Sequence, residues 1–162
     1  MDKKELYKKA NKYKLNKKYD LAIENYKKVL ELDKYNLNSL KELGEIYENV
    51  NDINNAIVCY EKIIESEIHN INKQNTMIYL NQIGVCNFNN SNYEEAIKYF
   101  KKVLEFNKTF TDAYNNIAYS YFKIRKYRYA EINWLISLKL KDDTKLYENL
   151  AVLYMYIKKY DK

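Results

Sequence analysis

The sequence predicts an all-α protein built as a stack of helical hairpins, four complete and a partial fifth. Three observations predict it. Pro is absent and only two Gly occur among 162 residues, so tight hairpins and sheet edges lack their usual punctuation. Apolar and small residues recur three and four positions apart, the spacing of one helical face. A set of alanines and aromatics also returns along the chain at a nearly constant interval, which marks a repeat architecture.

The elements follow in order from that repeat. The second helix of each hairpin carries Ala with an aromatic four residues later. The sets are Tyr19-Asp20-Leu21-Ala22-Ile23 with Tyr26 and Val29, then Asn55-Ala56-Ile57 with Tyr60 and Ile63. They continue as Tyr93-Glu94-Glu95-Ala96-Ile97 with Phe100 and Val103, and Tyr127-Arg128-Tyr129-Ala130 with Trp134 and Ser137. The four alanines lie 34, 40 and 34 residues apart, so the middle interval holds one unit plus an insertion of 6, expected near Ile71–Thr76. Each second helix is preceded by a first helix with its own small residue. These read Leu6, Ala10, Tyr13; Leu40, Leu43, Gly44, Tyr47; Leu80, Ile83, Gly84; and Tyr114, Ile117, Ala118, Tyr121. A small side chain there lets the partner helix approach closely while the aromatic fills the remaining gap. One hairpin cannot cover both its apolar faces, so stacking closes the core. The repeats are placed at about 3–36, 37–70, 77–110, 111–143 and a partial 144–162, within a single domain 1–162.

The two ends differ. In repeats two to five a further apolar stripe (Ser39, Leu43, Ile46, Val50 in the second; Leu146, Leu150, Leu153, Ile157 in the fifth) is expected to meet the preceding repeat. Its counterpart in repeat one, Glu5, Lys9, Lys12 and Asn16, is polar, as a first repeat requires. The fifth first-helix carries Tyr147, Leu150, Ala151 and Tyr154, and Lys158-Lys159-Tyr160-Asp161 then echoes Lys17-Lys18-Tyr19-Asp20, yet no second helix follows. Three expectations stand: the chain belongs to a longer protein, the helix self-associates through Tyr147, Ala151 and Tyr154, or it serves as a cap.

At these residues the chain resembles the tetratricopeptide-repeat (TPR) family. The 34-residue period, the small residue in both helices and the aromatic late in the first all match, over essentially the whole chain. The resemblance implies a right-handed α-solenoid whose first helices line a concave groove. In the groove a protein-interaction scaffold would bind a peptide segment or partner helix. Family members often place Pro after the second helix. Here Lys34, Ile68, Lys108 and Asp142 stand there, so some second helices are expected to run on or end less sharply.

Under that resemblance the groove is zoned. Repeat one presents Lys4, Tyr7, Lys8, Asn11 and Lys14; repeat two Asn38, Lys41, Glu42, Glu45 and Glu48. The later repeats present amides and aromatics. The candidate peptide-binding residues are Asn11, Asn81, Gln82, Phe88, Asn115, Asn116, Tyr119, Phe122 and Asn149. Gln82, Asn116 and Asn149 occupy equivalent places, a ladder of amides that could pair with a peptide backbone. The carboxylate clamp of chaperone-binding TPR domains is rejected. Asn11 matches one of its places, but Tyr7, Glu42, Ile78 and Gln82 fill the others, and an incoming carboxylate would meet Glu42.

Catalysis is not expected, and neither is a cofactor or a metal. Gly44 and Gly84 are isolated within helices, so no phosphate loop exists. His69 is the only His, and Cys59 and Cys86 lie in separate segments outside any metal-ligand spacing. Glu94-Glu95 and Asp142-Asp143 read as acids at helix N-termini, and Trp134 as core. No apolar stretch approaches the ~18 residues of a membrane span, and Met1 opens a polar run with no visible signal peptide, so a cytoplasmic protein without a membrane partner is expected. The net charge of +6 comes from Lys mixed with Glu and Asp along the chain, the pattern of solvated helix faces, and nucleic acid is not the expected partner. Two competing readings remain: RNA or anionic-surface binding through Lys3–Lys18, Arg125-Lys126-Arg128 and Lys139–Lys141, and the recruiting arm of a larger enzyme.

Overall fold

The computed structural model of the chain describes residues 2–67 and 73–160. Among these residues there are nine helices and no strand: α1 (Lys3–Leu15), α2 (Tyr19–Leu32), α3 (Leu37–Asn49), α4 (Ile53–Glu67), α5 (Lys73–Asn89), α6 (Tyr93–Phe106), α7 (Thr111–Lys123), α8 (Tyr127–Leu140) and α9 (Thr144–Tyr160). They form two compact units, Met1–Tyr79 and Leu80–Lys162, with the division falling inside α5. Of the expected insertion, Ile71 and Asn72 lie outside the described residues, as does His69. The remaining positions, 73–76, form the first turn of α5.

In the first unit, α1 starts with a capping box. The Glu5 N–H donates to Asp2 Oδ1 at 2.8 Å and the Asp2 N–H to Glu5 Oε2 at 3.2 Å, pairing two otherwise orphaned donors. The Asn36 side chain caps α3 in the same way, accepting from the Ser39 N–H at 3.1 Å. The predicted core places are buried: Leu6, Ala10, Ala22, Tyr26 and Val29 in the first hairpin, Leu40, Leu43, Tyr47, Ala56, Tyr60 and Ile63 in the second. Glu5, Lys9, Lys12 and Asn16 are exposed, as their polarity predicts. Val50 departs from the expected stripe: it is the C-cap of α3 and lies exposed.

In the second unit Ala96, Phe100, Val103, Ile117, Ala118, Ala130 and Trp134 are buried, and α9 packs through Leu146, Leu150 and Leu153. Its core-type residues Tyr147, Ala151 and Tyr154 are exposed.

The close crossings are visible at the two glycines. A Cβ built on Gly44 would stand 2.6 Å from the Tyr60 ring, and one on Gly84 2.5 Å from the Phe100 ring. The aromatic of the second helix therefore occupies the volume a first-helix side chain would need.

The turn inside each hairpin is the same device four times. Lys17, Asn51, Ser91 and Arg125 have φ of 56°, 60°, 61° and 60°, and they recur at the alanine interval. The N–H of the next residue bonds back to a carbonyl five residues earlier: Lys18 to Tyr13 at 3.0 Å, Asp52 to Tyr47 at 2.7 Å, Asn92 to Asn87 at 2.8 Å and Lys126 to Tyr121 at 2.9 Å. With the shorter bonds such as Lys17 N–H to Lys14 C=O at 2.9 Å, this is the Schellman arrangement, here closed without glycine.

The expectation that some second helices run on or end less sharply is not met at α2, α6 or α8, while the end of α4 adjoins residues outside the described set. Helices α2, α6 and α8 each have 14 residues and stop at an extended C-cap: Asp33 (φ −151°), Asn107 (φ −143°) and Lys141 (φ −150°). The extended residue breaks the ladder of i→i−4 bonds as Pro would. The Asn36 N–H then bonds to Asp33 C=O at 3.0 Å, turning the chain toward α3.

Candidate interaction surface

In the second unit, Asn115, Asn116, Tyr119 and Phe122 sit at spacings of one, three and three along α7 and so share one side of it. Trp134 of α8 lies buried beneath them. Its indole Nε1–H donates to Asn115 Oδ1 at 2.8 Å. The Tyr119 ring stands edge-on to Trp134, centroids 5.3 Å apart at 88°, and its hydroxyl donates to Asn149 Oδ1 of α9 at 2.8 Å. Phe122 lies 5.2 Å from Tyr156, 5.6 Å from Tyr127 and 6.0 Å from Trp134. Edge-on and tilted contacts of this kind contribute about 0.5–1.5 kcal/mol each beyond area burial. Tyr119 and Phe122 are half-buried and Tyr156 is exposed, so the cluster is both packing and surface.

The amides divide by what holds them. Asn115 and Asn149 have their oxygens committed to Trp134 and Tyr119, and the Asn149 Nδ2 is buried without a partner among the described residues. Gln82 is half-buried and engaged within the chain, and the Asn81 Oδ1 is buried with no partner among the described residues. Asn116 is half-buried, and its side-chain amide makes no hydrogen bond with the described residues. Phe88 packs edge-on against Tyr93 at 5.3 Å. The structure thus brings Asn115, Asn116, Tyr119, Phe122 and Asn149 into one neighbourhood with Tyr127, Trp134 and Tyr156.

Asn11 belongs to the first unit, where its Oδ1 accepts from the Tyr26 hydroxyl. Burial pushes the Tyr26 phenol up from its ordinary value, so it stays a donor. Beside it, Lys14 Nζ bonds Glu42 at 2.5 Å and Glu45 at 2.6 Å. Burial opposes the charge on Lys14, yet the two carboxylates outweigh it and raise the ammonium pKa above its ordinary value. A cavity of about 480 Å³ opens here, lined by Asn11, Lys14, Leu15, Lys17, Tyr19 and Glu42. The expected basic and acidic zones of this unit are therefore not independent, because Lys14 of one repeat neutralises Glu42 and Glu45 of the next. The signal was present in the sequence. On the 34-residue repeat, Lys14 lies three and six residues beyond the places equivalent to Glu45 and Glu42.

Among the described residues no three His, Cys, Asp or Glu side chains converge as metal ligands, and no helix is long and apolar enough to cross a membrane.

The tetratricopeptide-repeat family model matches residues 6–36, 39–67 and 78–110, more than half of the sequence. The chain belongs to the tetratricopeptide-repeat family. Solved TPR structures share its all-α solenoid fold. The crystal structure of MamA superposes with a TM-score of 0.74 at 22% identity, covering 94% of this TPR chain and 86% of that one. MamA 41-end from Desulfovibrio magneticus RS-1 gives 0.76 at 15%, covering 99% and 89%. A tetratricopeptide repeat protein from Parabacteroides merdae ATCC 43184 gives 0.79 at 18%, with 98% of this chain against 61% of that one. No curated protein matches by sequence.

Proposed function

We propose that this TPR chain is a protein-interaction scaffold of the cytoplasm, without chemistry of its own, whose α7–α9 surface holds a peptide segment or partner helix. One observation carries the reading. Half-buried Tyr119 and Phe122 and exposed Tyr156 form a braced aromatic surface, next to which the Asn116 amide is unclaimed by the described residues. Rigid aromatics with a polar handle are the usual anchors of such contacts. Lys14 is held by Glu42 and Glu45, which also speaks against a cationic clamp for a terminal carboxylate. The same pairing, with Lys3 on Asp33 at 2.8 Å, withdraws two cations from the first of the basic segments considered for RNA.

The test spares the packed rings. Truncating Tyr119 or Phe122 would strip contacts from Trp134, and truncating Tyr156 would strip one from Phe122, so the informative variant is Asn116→Arg alone. Affinity capture from the native cells, read by mass spectrometry, should lose its specific partner by about tenfold or more while the helical circular dichroism is unchanged. Capture of the same partner at wild-type level rules this surface out. A second reading is favoured by the exposure of Tyr147, Ala151 and Tyr154: α9 pairs with a second copy. Light scattering at tens of micromolar shows dimer if it does, and monomer alone removes it.

A further inference from the structure

The second helices differ on the side facing away from their first helices. In α2 that side carries Glu24 and Lys28, paired at 2.5 Å; in α6 it carries Glu95 and Lys98, also paired at 2.5 Å. These are ordinary solvated faces. On the 34-residue repeat, the places of Glu24 and Lys28 in α8 hold Ile132 and Ile136, and the place of Glu95 holds Tyr129. Tyr129 is 56% exposed, Ile132 45% and Ile136 37%, with Leu135 exposed beside them. The pole of α8 that is buried is the opposite one, Ala130, Trp134 and Ser137. Tyr129 stacks on Tyr121 of α7, ring centroids 5.1 Å apart, so the apolar surface left over on this side is Ile132, Leu135 and Ile136. Contiguous exposed apolar area of this kind on a helix already committed on its other side marks contact with another molecule.

The ridge has charged ends. At 100° per residue, Arg128 and Lys139 project on the same outward side as Ile132, and both are exposed. Neither takes part in an ion pair among the described residues. From Arg128 to Lys139 is eleven residues, roughly 16 Å of helix. A helix of about three turns laid along that ridge would bury the isoleucines and place its two ends at the two cations. A second copy of α8 is a poor occupant. Antiparallel pairing sets Arg128 against the other Lys139, parallel pairing sets Arg128 against its twin, and either juxtaposition repels.

We propose that the outward face of α8 is a docking site for an acidic amphipathic helix of another protein, with apolar residues one turn apart and carboxylates at both ends. It lies on the side of α8 opposite Trp134 and so is separate from the α7–α9 surface. The net charge of +6 favours encounter with such a partner.

The experiment uses the full chain and three synthetic peptides of about 15 residues, each held helical by a side-chain staple and labelled for fluorescence polarisation. All carry Leu at one-turn spacing; the ends carry paired Glu, Gln or Lys. The Glu peptide should bind at low salt and weaken as salt rises, the Gln peptide about tenfold less well, and the Lys peptide least. Ile132→Ser with Ile136→Ser should weaken the Glu peptide about tenfold or more, and Arg128→Glu with Lys139→Glu should reverse the order of the three. All four sites are exposed, so helical content should not change in either variant. The proposal is overturned if the Glu peptide does not bind, if the serine variant binds it as well as wild type, or if the charge reversal leaves the order intact. Co-sedimentation with phosphatidylserine vesicles that the same variants abolish, with no peptide binding, would assign the ridge to a lipid surface instead and equally overturn it.

Discussion

Replacing Gly84 by Ala tests the central packing device. The added Cβ would stand 2.5 Å from Phe100 Cε1, 2.7 Å from Cδ1 and 2.9 Å from Cζ. Carbon atoms rest at about 3.5–4.0 Å, so the ring must retreat by about 1 Å. It has little room to do so, because Phe100 is 1% exposed and the adjacent Ala96 and Val103 are fully buried. Overpacking of that kind costs about 1–3 kcal/mol. Ala against Gly in a helix interior returns roughly 0.8–1.0 kcal/mol. The net expectation is a loss of about 1 kcal/mol. Guanidinium unfolding should show it, followed by circular dichroism and by the fluorescence of the single Trp134, which lies in the same unit. Adding Phe100→Leu should cost less in the Gly84→Ala background than in the wild type, since the smaller side chain relieves the overlap. A Gly84→Ala variant more stable than wild type by the full helix-propensity gain would refute the reasoning, because the ring would then be free to yield.

Two further outcomes are expected. Arg125→Gly should stabilise the chain by about 0.5–1 kcal/mol, because Arg125 is held at φ 60° where glycine meets no steric penalty, while Lys126→Gly at φ −84° should bring no gain; thermal unfolding distinguishes them. Burial pushes the Cys59 thiol up to about 11, so at pH 8 it should resist Ellman's reagent until the chain is unfolded by denaturant. The sign of the linked pH dependence follows. The folded pKa lies above the unfolded 9.0, so this contribution is intact below pH 9 and is lost as pH rises toward 11, roughly 2–3 kcal/mol in all. Cys59→Val should flatten that alkaline loss, and an unaltered alkaline profile in the variant would count against it.

How much was legible depended on the range of the interaction. The hairpins were readable because a close helix crossing needs a small residue on one helix and an aromatic on the other. Gly44 with Tyr60 and Gly84 with Phe100 meet that need with residue types that stand out along the chain. The turns were less readable, since Lys17, Asn51, Ser91 and Arg125 share a left-handed backbone but no side-chain chemistry, and the hydrogen bonds of the turn supply what glycine normally does. Helix ends were misjudged for a similar reason: Asp33, Asn107 and Lys141 stop their helices by backbone conformation, without the Pro that a sequence reader looks for.

The interaction surface shows the same division. Its residue types and their positions on the first helices followed from the repeat. Which of the amides stay free did not, because a Trp indole, two Tyr hydroxyls and one Lys ammonium, each distant in sequence, claim Asn115, Asn149, Asn11 and the glutamates at 42 and 45. By itself the sequence determined the family, the all-α class and the places of the small and aromatic core residues, since those rest on local periodicity and side-chain size. Only the tertiary structure decided which polar groups pair and which apolar groups of α8 and α9 remain bare, because pairing and exposure depend on what the rest of the chain brings within a few ångströms.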